Sequence, residues 1–285
     1  MTEAPQPFGA RLREAMDRLG PLCAGIDPHP GLLRAWGLED SVDGLERFAL
    51  GATEALVGHV AALKPQSAFF ERHGSRGVAV LERVLETARE GGTLSVLDVK
   101  RGDIGTTAQA YADAYLDPRS PLAADAITAT PYLGFGSVTP MVETARAHGK
   151  GVFVLALTSN PEAPAVQHAR TASGATVAGS VLAELAALNR DSREAGLLGS
   201  HGAVVGATIG GTEEDLAIGG PLLVPGIGAQ GGTTDDVRRI FAGCLDLVLP
   251  SSSREILGAG PDGAALRDAA ERAAEAFAAL RGTAR

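Results

Sequence analysis

The run LDVKRGDIGTT, residues 97–107, brings Asp98, Lys100 and Asp103 close together in the chain. Asp98 and Lys100 are two apart, so in an extended strand both side chains point to the same side. Asp103 follows a glycine-containing turn, and Gly105-Thr106-Thr107 leads into a helix. One reading is a solvated loop with a threonine N-cap. The other is a charged relay that holds one ammonium between two carboxylates. Composition favours the second, because only Lys64, Lys100 and Lys150 among the 25 basic residues are lysines. This chain writes its surface cations as arginine, which sets its three lysines apart.

A second motif is the glycine loop PGIGAQGG, residues 225–232. Gly226, Gly228 and Gly231 match G-x-G-x-x-G, and Asp246 follows downstream. Alone this is a dinucleotide fingerprint. Only one further strand candidate follows it, which leaves no room for the rest of a dinucleotide domain. A phosphate grip built on backbone N–H groups fits better, with Arg254 as a bidentate cation. A plain turn is the remaining alternative.

These motifs need elements to hold them. Nearly continuous apolar runs occupy residues 22–26, 59–63, 94–97, 126–129, 152–157, 203–207, 222–224 and 245–249. Helical patterns fall between them at 44–57, 78–90, 107–115, 138–148, 177–194, 212–218, 234–242 and 264–280. Runs without alternation read as strands buried on both faces. Eight strand–helix repeats without a Pro/Ser linker predict an α/β fold, a single-domain (β/α)8 TIM barrel over 1–285. An open doubly wound sheet is the runner-up. The Ala/Pro-rich stretch around 159–180 reads as a loop insertion over the barrel mouth. In such a barrel the C-terminal strand ends carry the chemistry. Asp27, Lys64, Asp98, Lys100 and Asp103 then converge on one rim, a costly cluster unless the charges pair.

Composition narrows the classes. The net charge of −9 argues against a protein that coats nucleic acid, and 4% aromatics are too few for a base-stacking platform. No apolar stretch reaches the length of a membrane span, and no signal pattern opens the chain. Cys23 and Cys244, each in an apolar run, read as reduced and buried, which fits a cytoplasmic location. The six histidines form neither HxH nor HExxH, so no metal site is expected. The serines at 251–253 lack a GxSxG elbow. Trp36, Phe69 and Phe70 read as packing residues.

LDVKRGDIGTT, with ALKPQSAFFE before it and VPGIGAQGG after it, resembles the orotidine 5′-phosphate decarboxylase family, in its longer bacterial subgroup (type 2). The resemblance runs from Cys23 to about Leu257. It implies a carboxy-lyase of de novo pyrimidine biosynthesis that makes uridine 5′-phosphate and CO2 from orotidine 5′-phosphate, with no cofactor. It implies that Asp27 holds a ribose hydroxyl, that Lys64 bridges the ribose and Asp98, and that Asp98 lies beside the substrate carboxylate. Lys100 would be the proton donor. Asp103 and Thr107 would reach into the neighbouring subunit's site, making a homodimer. Ser159 would contact the pyrimidine. Gln230 would bridge base and phosphate, with Gly228, Gly231 and Arg254 around the phosphate. The charges suit that reaction, since a fixed ammonium can stabilise a developing carbanion and then protonate it. Asp98 and Asp103 would favour the charged form of Lys100. Two rivals remain at this stage: a sugar-phosphate decarboxylase or aldolase on the same barrel, and a non-enzymatic phosphate-ligand binder.

Overall fold

Apolar runs that do not alternate need cover on both faces, and this chain supplies it by closing them into a ring. The computed structural model describes residues 5–228 and 231–282. The strands are β1 (Cys23–Ile26), β2 (Ala62–Pro65), β3 (Leu94–Arg101), β4 (Ala126–Ala129), β5 (Gly151–Leu157), β6 (His201–Val205), β7 (Leu222–Val224) and β8 (Val248–Ser252). They form a closed barrel in chain order with every neighbouring pair parallel, and Cys23 of β1 is in register with both Ala62 and Ser251. The expected (β/α)8 architecture is thus present.

Two apolar layers hold it. Inside the barrel, Cys23, Ala62, Val96, Phe153, Val204, Leu223 and Leu249 pack together. Outside, the strands' other faces pack against helices such as Val42–Leu56, Gly74–Glu90 and Gly263–Gly282. A helix that the sequence reading omitted, Phe8–Leu19, plugs the N-terminal end of the barrel. Its buried residues Phe8, Leu12, Ala15 and Met16 follow helical spacing. Phe8 meets Phe153 edge-on, with centroids 5.9 Å apart. Nearby, Lys150 donates to the Ala124 carbonyl at 2.5 Å, and burial lowers its pKa to about 8. Trp36 is a packing residue, 4.2 Å from the Phe48 ring, with its indole N–H on the Leu257 carbonyl. Both cysteines are free and buried.

Several expected boundaries moved. β2 begins three residues later than the apolar run at 59–63 and takes in Lys64. β3 extends through Asp98 and Lys100 to Arg101. β8 starts at Val248, and Leu245–Leu247 is a 3-10 turn. In each case the ladder continues into polar residues, where the apolar pattern stops. Residues 212–218 are not helical. Paired glycines flank that segment, with Gly210 and Gly219 in left-handed conformations, and Glu214 is held by the Thr176 hydroxyl at 2.6 Å. The 177–194 pattern splits into Val177–Leu188 and Arg190–Glu194. Among the described residues no helix is long and apolar enough to cross a membrane.

Candidate active site

β1, β2 and β3 end at one rim, and each delivers a charged side chain there. Lys64 is the third residue of β2 and is only 6% exposed. Asp98, on β3, is 7% exposed. The two face each other, Lys64 Nζ to Asp98 Oδ2 at 3.4 Å. Lys100 Nζ reaches the other oxygen, Oδ1, at 2.6 Å. The Thr128 hydroxyl of β4 also donates to Oδ1, at 2.8 Å. One buried carboxylate therefore sits between two ammoniums.

The energetics follow from that arrangement. Burial pushes Asp98 toward neutrality, but Lys64, Lys100 and the hydrogen bonds from Lys100 and Thr128 outweigh it and hold the carboxyl below its ordinary range. Lys64 shows the mirror image. Its burial disfavours charge, yet Asp27, Asp98 and Cys23 raise its pKa above the usual lysine value. A lysine held protonated in this way is a poor Schiff-base nucleophile. Beneath it, burial pushes the Cys23 thiol up to about 12, so that thiol is inert.

The cluster lines a cavity of about 610 Å³ at the C-terminal mouth. Asp27, Lys64, Asp98, Lys100 and Arg254 all contribute to its wall. Asp27 Oδ1 is buried there without a hydrogen-bond partner, an acceptor presented to whatever fills the space. The preceding Gly25 must lack a side chain, since a Cβ would lie 2.7 Å from that of Ser253. Arg254, also on the wall, is exposed, and among the described residues no carboxylate lies within ion-pair distance of it. The wall also holds His29, Gln66 and Thr128, which had no assigned role from sequence, together with Ser251 and Ser253 from the serine run after the eighth apolar stretch. Phe69 lines it too, against His29. Thr128 lay hidden inside an apolar run, and its signal was a lone hydroxyl at the C-terminal end of β4.

The remaining candidates lie elsewhere. Asp103 is half-buried, does not line the cavity, and accepts the Ile104 N–H at 2.8 Å. Thr107 is exposed in the first turn of the helix Gly105–Leu116, whose N-cap is Ile104. Of the two carboxylates expected around Lys100, the chain itself supplies Asp98. Ser159 is exposed beyond β5 and outside the cavity wall. Residues 158–176 carry the short helix Pro164–Gln167, tied back by Gln167 to Thr158. In the glycine loop, Gly228, Gly231 and Gly232 N–H groups bond to the carbonyls of Gly232, Gly228 and Gly226. That internal pairing keeps those N–H groups from a phosphate in this loop conformation. Gln230 lies outside the described residues. Among the described residues no group of three or more His, Cys, Asp or Glu side chains is gathered for a metal ion.

Comparison with known proteins agrees with this geometry. Residues 20–269 match the model of the orotidine 5′-phosphate decarboxylase / HUMPS family. An orotidine 5′-phosphate decarboxylase of a Nocardioides species is 65% identical over 254 residues, 88% of this chain and 92% of the relative. One from Salinispora tropica is 60% identical over 98% of this chain and all of its own length. A crystal structure of a candidate orotidine 5′-phosphate decarboxylase from Streptomyces avermitilis superposes with a TM-score of 0.94, at 55% identity, covering 98% of both chains.

Proposed function

The chain belongs to the orotidine 5′-phosphate decarboxylase / HUMPS family, and on that premise we propose that it converts orotidine 5′-phosphate to uridine 5′-phosphate and CO2 as a cytoplasmic homodimer, with no cofactor. The observation that carries the proposal is Asp98 held between Lys64 and Lys100 at the mouth of a cavity whose wall also bears Arg254, which has no ion-pair partner among the described residues.

In this reading the phosphate sits at Arg254, and the glycine loop gives up its internal N–H bonds to place Gly228, Gly231 and Gln230 around it. Asp27 accepts a hydrogen bond from the ribose, Lys64 bridges ribose and Asp98, and Ser159 closes on the pyrimidine. The C6–carboxylate bond breaks, CO2 leaves, and the electron pair stays on C6. The Lys100 ammonium stabilises that charge and then gives C6 its proton. Lys100 is left neutral and regains a proton from water. Phosphate binding energy, remote from C6, orients the ring over the ion array.

The homodimer reading is supported by the surface beside Asp103 and Thr107. Ile104, in the segment after β3, and Tyr132 and Leu133, in the segment after β4, are 62%, 77% and 54% exposed, large apolar side chains that a second copy would cover. In that dimer Asp103 would complete the partner's ion array, and Thr107 would contact the partner's substrate.

The test separates the two ends of the substrate. The protein should turn over orotidine 5′-phosphate far faster than orotidine, which lacks the phosphate. Arg254→Ala should raise KM by about 10²-fold with kcat much less affected, the loss of a charge-assisted bidentate contact. Equal rates on the two substrates, or an unchanged KM in Arg254→Ala, would remove the phosphate assignment. Steady-state kinetics by pyrimidine absorbance reads both.

A further inference from the structure

Lys100 stands out in its backbone. Among the described residues it is the one non-glycine with a positive φ, +45°. A β-carbon in that region crowds its neighbouring backbone, so lysine stays there only where surrounding groups hold it. Strand β4 and the residue just after it, Thr130, hold it from both sides. The Lys100 N–H donates to Thr128 Oγ1 at 2.9 Å. The Thr130 hydroxyl donates to the Lys100 carbonyl at 3.1 Å, and the Thr130 N–H donates to the Arg101 carbonyl at 2.8 Å.

The strand register records the same event. Leu97 pairs with Ile127, but the next pair is Arg101 with Ala129, so β3 takes four steps where β4 takes two. The extra residues bulge out, and a bulge re-aims side chains. Here it turns Lys100 so that its ammonium reaches Asp98 Oδ1. A second constraint lies in Thr128 itself. Its oxygen already accepts the Lys100 N–H, so its own hydrogen is directed at Asp98 Oδ1. One hydroxyl thus fixes the backbone of one member of the ion array and the carboxylate of the other.

We propose that Thr128, backed by Thr130, is a positioning residue for decarboxylation: it locks the left-handed turn at Lys100 and orients Asp98, so that the proton donor is in place before substrate binds. The inference rests on Lys100 acting as the proton donor. Thr128 needs no contact with the reacting atoms for this role.

The test compares two variants on orotidine 5′-phosphate. Thr128→Val keeps the branched shape and removes the hydroxyl, whereas Thr128→Ser keeps the hydroxyl. Thr128→Val should lower kcat by about 10²-fold, the cost of a misplaced catalytic group. Its KM should change by less than about threefold, and Thr128→Ser should stay within about threefold of the parent. The acid limb of the kcat profile should also move to higher pH in Thr128→Val. Asp98 is faced by Lys64 from β2, Lys100 from its own strand and Thr128 from β4, with Asp27 acting on the same Lys64. Loss of the hydroxyl leaves the two lysines alone to hold the charged carboxylate. A packing defect would lower the folded fraction without moving that limb. The clamp is overturned if Thr128→Val keeps the parental kcat and acid limb, or if Thr128→Ser falls as far as Thr128→Val. An inactive parent protein would instead overturn the functional reading and the clamp with it.

Discussion

Replacing Lys100 with alanine is expected to lower kcat for orotidine 5′-phosphate by about 10⁴-fold or more, because one side chain supplies both carbanion stabilisation and the proton. The fold should survive. The Lys100 side chain is 44% exposed, and its removal leaves Asp98 still paired with Lys64 and bonded to Thr128. Lys64 is a different matter. It is buried, and its loss would strip Asp98 of its most enclosed partner, a change that costs about 3–5 kcal/mol for a buried pair. Lys100→Ala is therefore the cleaner probe of chemistry. Steady-state kinetics alongside a thermal melt should show a collapsed kcat with a nearly unchanged Tm. Near-normal turnover would remove Lys100 from the mechanism.

The second large effect concerns the shared site. Asp103→Ala alone should be severely impaired, since the acidic partner of the array would be missing from both sites of a dimer. Mixing inactive Lys100→Ala with inactive Asp103→Ala should restore activity. Half of the randomly exchanged dimers are mixed, and each mixed dimer rebuilds one intact site, so the mixture should recover about a quarter of the parental rate. The measurement is turnover after subunit exchange at equal concentrations. If Asp103 served its own chain's site, no mixture would recover activity. The present geometry makes this informative, because Asp103 is away from the cavity and turned onto the Ile104 N–H.

The barrel was legible because fully buried strands leave an unbroken apolar signature, and eight of them alternating with helical patterns admit few architectures. Asp27, Lys64, Asp98, Lys100 and Arg254 were legible as residues beside those runs, and the structure gathers them at one cavity. What the sequence hid has physical causes. The ladder of β2 and β3 continues through Lys64, Asp98 and Lys100, so the apolar rule ended both strands too soon. Spacing put Asp98 and Lys100 on one side of a regular strand, whereas they meet through a bulge and a left-handed lysine. Thr128 was masked by the alanines and isoleucine around it. The helix expected at 212–218 failed because short acidic sequence between glycine pairs has too few residues to pay for nucleation. The glycine loop was recognisable as a motif, but not that its N–H groups would bond to its own carbonyls.

The most direct measurement of the central claim is the release of labelled CO2 from carboxyl-labelled orotidine 5′-phosphate by the purified protein in excess chelator. The ion array of Lys64, Asp98 and Lys100 predicts one CO2 for each uridine 5′-phosphate formed, at a rate that chelation leaves unchanged. No release, or release that stops when divalent metal is withdrawn, would contradict it.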